Sequence, residues 1–99
     1  MRFPLMLAAL AAFPLGAAAQ DTTVARSLAA TCTNCHGPQG HSVTRSVESL
    51  AGRPKSEIVE AMQAFKSGAK PATVMHQLSK GYTDQQIDMI AGYFAAQKK

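Results

Sequence analysis

The chain has 99 residues, 46% of them hydrophobic, no Trp, and ten Lys/Arg against six Asp/Glu for a formal net charge of +4. That length limits it to one domain. The cations are scattered rather than gathered in a stripe, which argues against nucleic acid as a partner and suits docking on an acidic protein surface.

Met1-Arg2 gives a positive start. Leu5 to Leu15 is then apolar, broken for a helix by Pro14, and Ala17-Ala18-Ala19 precedes Gln20. This is the three-part layout of a secretory signal peptide. The expected organisation is a cleaved leader over 1–19 and a single domain over 20–99. The apolar run is shorter than the ~20 residues a membrane span needs, and no later segment is apolar for that long. A periplasmic protein with no stable membrane span after cleavage is the expectation. The segment beyond the leader has only four large aromatics, Phe65, Tyr82, Tyr93 and Phe94. A core that thin in so short a chain needs a disulfide, a metal or a large apolar cofactor to staple it.

Asp21 to about Asn34 reads as a helix, with Asp21 or Thr22 as its cap and Val24 and Leu28 on one face. It leads into Cys32-Thr33-Asn34-Cys35-His36, which holds both cysteines of the chain. A thioredoxin-like redox pair would need a strand before it, and Val24 to Ala30 is Ala-rich and helical. A disulfide between residues three apart constrains the unfolded chain very little. A zinc site needs four ligands, commonly with a second short-spaced Cys/His pair, and His41 and His76 form none. The remaining reading is the attachment signature of c-type haem. Two thiols one helical turn apart can each add to a vinyl group of the porphyrin. The next residue then lies under the iron, where an imidazole binds as the proximal ligand. Export fits, because that attachment takes place outside the cytoplasm. The expected cofactor is one covalent haem c on Cys32 and Cys35, ligated by His36.

Gly37-Pro38-Gln39-Gly40 stops the helix with turn residues. His41 to Gly52 is Ser/Thr-rich without periodicity and reads as a loop round the haem edge, with Val43, Val47 and Leu50 pointing inward. Pro54 starts a second helix over Lys55–Lys66. Its apolar face is Ile58, Ala61, Met62 and Phe65, and Gly68 is its stop. Val74 to Leu78 forms one or two turns ending at Gly81. The last helix is bounded by a capping box of Thr83 and Gln86, buries Ile87, Ile90, Ala91 and Phe94, and ends at Lys98-Lys99. No stretch alternates as a strand does. The domain is all-α: three main helices and one short one round a single haem.

A sixth ligand has five candidates: Met62, Met75, Met89, His41 and His76. Met62 and Met89 sit among apolar residues of regular helices, where Met is a routine gap-filler. His41 follows His36 too closely to cross to the other face. Met75 lies in the short segment after Pro71, far enough along the chain to return over the haem. It is the expected ligand, with the adjacent His76 as the alternative.

With these residues placed, the chain resembles class I cytochromes c, and most of all the small cytochrome subunit of flavocytochrome c sulfide dehydrogenase. The resemblance is carried by Cys32 to Gly37, Leu50-Ala51-Gly52, Ala64 to Gly68, Thr73-Val74-Met75, and Lys80 to Asp84 through Tyr93-Phe94. It implies the class I fold, in which the faces carrying Val24/Leu28 and Ile90/Phe94 meet, and Met75 as distal ligand. Such cytochromes usually have Pro two residues before the Leu, and its carbonyl accepts the proximal His N–H. Glu48 stands there in this chain, and its carbonyl can accept the same bond. Flavin-partnered subunits of the family can also carry two haem domains, where this chain has one.

The function implied is single-electron transfer without catalysis by the chain itself, since His/Met ligation leaves no open position on the iron. The partner implied is a redox protein: a flavoprotein or molybdenum dehydrogenase of sulfide or sulfite, or a downstream oxidase served by a freely diffusing carrier. Lys55, Lys66, Lys70 and Lys80 are candidates for steering that encounter. A five-coordinate haem sensor is the alternative if Met75 yields to an external ligand, and a thiol redox protein if no haem is attached.

Overall fold

A computed structural model describes Arg2 and residues 17–99. The leader expected over 1–19 therefore lies outside the described residues, apart from Arg2 and the backbone of 17–19. Five α-helices follow one another: α1 (Ala17–Ala29), α2 (Thr33–His36), α3 (Lys55–Ser67), α4 (Met75–Lys80) and α5 (Asp84–Ala95), with a 3₁₀ turn at Pro38–Gly40. No strand occurs among the described residues. The all-α expectation holds.

Helix α5 has the boundaries its sequence dictates. Thr83 Oγ1 accepts from the Gln86 amide at 3.1 Å, and Gln86 Oε1 accepts from the Thr83 amide at 2.9 Å. Two donors that the first turn leaves unpaired are thereby satisfied. The face of Ile87, Ile90, Ala91 and Phe94 is buried and forms the centre of the core. Helix α3 ends where expected, at a left-handed Gly68, and contributes Ile58 and Met62 to the core.

Helix α1 differs from its expected limits at both ends. Asp21 and Thr22 lie inside it rather than capping it, because Ala17-Ala18-Ala19 are strong helix formers that carry the helix upstream. At the other end it stops at Ala29 instead of running to Asn34. Thr31 and Thr33 direct their hydroxyls to the carbonyls of Leu28 (3.2 Å) and Ala30 (2.7 Å), and such local bonds compete with the helix ladder. The Cys32 amide then bonds Ala29 at 3.0 Å, three residues back, and a separate turn, α2, begins.

Helix α1 packs on α5, and α3 packs on α4 and α5. The meeting of α1 with α5 is built on Ala29, fully buried, and on the half-buried Leu28. Val24, expected on that face, is 47% exposed. Ala29 takes its place because a methyl group allows the two helices close approach.

The loop after α2 turns on Gly40, whose carbonyl accepts from both the Leu50 and Ala51 amides at 2.8 and 3.1 Å. Gly40 has φ +86°, and a Cβ there would lie 2.7 Å from the Phe94 ring and 2.9 Å from the Ala51 nitrogen. Only glycine fits both the angle and the space. Val47 and Leu50 are half-buried, as expected. Val43 is 80% exposed. It lies in a stretch whose only bonds run through Ser and Thr side chains, so nothing fixes its direction inward.

Replacing Thr83 by Ala removes one half of the capping box. The expected cost is ~1 kcal/mol, read as a fall of about 4–8 °C in thermal midpoint, whereas Thr73→Ala, outside any cap, leaves the midpoint within about 1 °C.

Candidate functional site

The two cysteines and His36 occupy successive turns of one short coil. The Cys32 carbonyl accepts from the Cys35 amide at 3.2 Å and from the His36 amide at 2.9 Å. Cys32 and Cys35 are therefore one turn apart, with His36 directly following. Both thiols are free, Cys32 half-buried and Cys35 exposed. Burial pushes the Cys32 thiol above its ordinary range, against a smaller downward pull from the Thr31 side chain. Thr31 also bonds the Tyr82 hydroxyl at 2.7 Å, tying the end of α1 to the start of the last helix.

The His36 ring is oriented by a single bond. Its Nδ1 lies 2.6 Å from the Glu48 carbonyl oxygen. A carbonyl only accepts, so Nδ1 carries the proton and donates it. The neutral ring then has its lone pair on Nε2, the form in which an imidazole binds a metal. The bond comes from Glu48, the position identified in the sequence.

Cys32, Cys35 and His36 border a cavity of about 820 Å³. That is toward the upper end of the ~300–1,000 Å³ found for small-molecule and cofactor sites. Its walls are largely apolar: Val47 and Leu50 from the loop, Ile58, Met62 and Phe65 from α3, and Met75 and Leu78 from α4, among others.

Of the five candidates for a sixth ligand, two reach this cavity, Met62 and Met75. Met62 is 6% exposed and packed into the core in the middle of α3. Met75 is the first residue of α4 and half-buried. Met89 and His76 do not line the cavity. His76 Nδ1 is buried with no hydrogen-bond partner among the described residues. Both ring nitrogens of His41 face backbone carbonyls, Pro38 at 3.2 Å and Lys98 at 2.6 Å. The structure thus gathers Cys32, Cys35, His36 and Met75 round one space and leaves His41 and His76 outside it.

The sequence reading gave no site role to several polar lining residues, Thr31, Arg53 and Tyr82 among them. Each is polar and outside a periodic face, so hydrophobic patterning carried no signal for them. Lys66, expected to steer a partner, serves the fold instead. Its Nζ donates to the Tyr82 carbonyl at 2.6 Å and lies 3.8 Å from Asp84. Lys55 is paired with Asp88 at 2.9 Å, and Lys70 lies 5.0 Å from the centre of the Phe65 ring.

The one-turn Cys-x-x-Cys-His coil, the all-α fold with first and last helices packed together, and the apolar cavity that the coil, the loop, α3 and α4 enclose define a class I c-type cytochrome, built to carry haem c. Within that class the chain is 39% identical over 67 residues to the cytochrome subunit of sulfide dehydrogenase of Chlorobaculum tepidum, covering 68% of this chain and 60% of that protein. It is 32% identical over 93 residues to cytochrome c4 of Azotobacter vinelandii, covering 85% of this chain and 44% of that protein. It is also 30% identical over 67 residues to the thiosulfate dehydrogenase electron acceptor of Stutzerimonas stutzeri, covering 65% and 31%. The chain thus spans between about a third and three fifths of the length of these relatives. No family model matches it.

The two thiols differ in burial, and a thiolate is the reacting form. In protein made without haem attachment, iodoacetamide at pH 8 is expected to modify Cys35 several-fold faster than Cys32. The Cys32 rate climbs as pH rises toward its elevated pKa. Peptide mass mapping over a time course measures both, and equal rates would contradict the half-buried placement of Cys32.

Proposed function

We propose that this chain is a periplasmic single-haem electron carrier, in which Cys32 and Cys35 would form the thioether links and His36 and Met75 would ligate the iron. One observation carries the reading: His36, its Nδ1 engaged by the Glu48 carbonyl, borders a cofactor-sized cavity that Met75 also lines. When bound, haem supplies a one-electron couple. The chain's own residues do the rest. The Glu48 carbonyl holds the His36 proton on Nδ1 and so keeps the ring aligned. Met75, set at the head of α4 by the Val74 turn, offers a soft thioether from a different part of the chain. Ile58 and Phe65 wall the cavity with apolar surface, so that little solvent would have to reorganise when the charge changes. With His36 and Met75 both holding the iron, no position would be left on it for substrate, and the chemistry supplied would be electron transfer rather than catalysis.

The partner is a redox protein. Among the relatives, one is named as a subunit of sulfide dehydrogenase and another as the electron acceptor of thiosulfate dehydrogenase. These names support a place beside a dehydrogenase of reduced sulfur compounds, ahead of a free carrier serving an oxidase. Export is supported by the layout of residues 1–19. Among the described residues no helix is long and apolar enough to cross a membrane.

The protein secreted from a host with a haem-attachment system should exceed its polypeptide mass by one haem. Its oxidised spectrum should show the red-edge band of sulfur-ligated ferric haem. Met75→Leu, which keeps volume and removes sulfur, should abolish that band, and Met62→Leu should keep it. A bare polypeptide mass would refute the haem reading. A band lost in Met62→Leu alone would transfer the distal role to Met62.

A further inference from the structure

We propose that Glu48 and Arg53 form a positioning pair that fixes the Glu48 carbonyl on His36 and thereby sets the redox equilibrium of the site. The inference rests on the haem reading above and asks what holds the one bond that orients the proximal imidazole.

Between Ser42 and Ser49 no backbone amide bonds a backbone carbonyl among the described residues. Hydroxyl groups hold this stretch: the Ser42 amide donates to Ser49 Oγ at 2.9 Å, and Thr44 and Ser46 share a bond of 2.9 Å. Firm backbone bonding resumes only at Leu50 and Ala51, on the Gly40 carbonyl. Glu48 therefore sits at the loose end of the loop, yet its carbonyl stays 2.6 Å from Nδ1 of His36.

The chain then doubles back. The Arg53 amide donates to the Leu50 carbonyl at 3.2 Å, and Gly52 between them has φ +72°, as the third position of a type II turn requires. The Gly52 amide donates to the Phe94 carbonyl at 2.9 Å, so the turn is fastened to α5. This reversal returns Arg53 to the side of residue 48, where Nη2 donates to Glu48 Oε1 at 3.2 Å. The ion pair thus connects the loose end of the loop to a turn anchored on the core. Arg53 has no bond to His36. It acts through Glu48.

A stronger bond from Nδ1–H makes the imidazole a better electron donor to the metal and favours the oxidised state. Loosening the pair should therefore raise the midpoint potential. The pair is partly exposed, with side chains 39% and 62% accessible, so the effect is bounded. Arg53→Gln and Glu48→Gln should each lower the oxidised-to-reduced ratio at a fixed potential about two- to fivefold. The double variant should shift no further than the larger single one, because both substitutions break the same link. Arg53→Lys should stay near the wild type, since only one donor atom is used.

The measurement is a spectroelectrochemical titration of the holoproteins, with haem content checked first. Haem present but potentials unchanged in both Gln variants overturns the pair alone. So do shifts that add in the double variant, which would mean Arg53 acts on the site directly. Absence of haem from the wild type overturns the haem reading and the pair with it.

Discussion

The imidazole of His36 is oriented by one hydrogen bond, from Nδ1 to the Glu48 carbonyl at 2.6 Å. That bond spans twelve residues and crosses the loop that closes one side of the cavity. It requires the helix to stop after Ala29, so that His36 emerges on its own short turn. It requires the chain to reverse at Gly40, so that residues 48–51 come back alongside. It also requires the reversal to be fixed to α5, through the Gly52 amide and the Phe94 carbonyl. The order of elements round the site follows from satisfying these conditions in so short a chain.

The core explains why a cofactor belongs in this space. The largest fully buried side chains are Phe94 and Ile87, with Ile90 at 2%, all from one helix. A buried residue of that kind contributes about 1.5–3 kcal/mol, and ordering each residue costs about the same or somewhat less. A handful of such side chains leaves a domain of this size only marginally stable by itself. Helix α3 and the loop turn apolar groups, Leu50, Ala61 and Phe65 among them, toward the cavity rather than toward each other. An apolar group bonded at both cysteines would convert that surface into core.

Much of this was legible from residues that act locally. The capping box of Thr83 and Gln86, the glycine after α3 and the Cys-x-x-Cys-His string each work through neighbours within a few positions, and the structure places them as the sequence implies. Failures came where distant parts compete. Val24 has the right spacing for the face of α1, but Ala29 makes the closer approach to α5. Val43 is apolar, but its loop has no regular backbone bonding to aim it. Lys66 reads as a surface charge, yet the Tyr82 carbonyl, sixteen residues on, captures it. The placement of Met75 in the cavity, and of His76 outside it, depends on which residue begins α4, and helix boundaries are the least readable part of any sequence.

The charges bear on how a redox partner would be met. Three ion pairs, Arg53–Glu48, Lys55–Asp88 and Lys66–Asp84, neutralise cations within the fold. Among the described residues Arg26, Arg45, Lys70, Lys80, Lys98 and Lys99 make no ion pair. The positive excess of the chain is therefore carried by side chains at the surface, on several different elements. A field so spread raises the rate of encounter with an acidic surface but does not fix one orientation. The rim of the cavity adds a small apolar patch to that field, where Val74 and Leu78 are 55% and 52% exposed within one turn of each other beside Met75. Long-range attraction with a small apolar contact gives association that forms and dissolves quickly, as single-electron exchange requires.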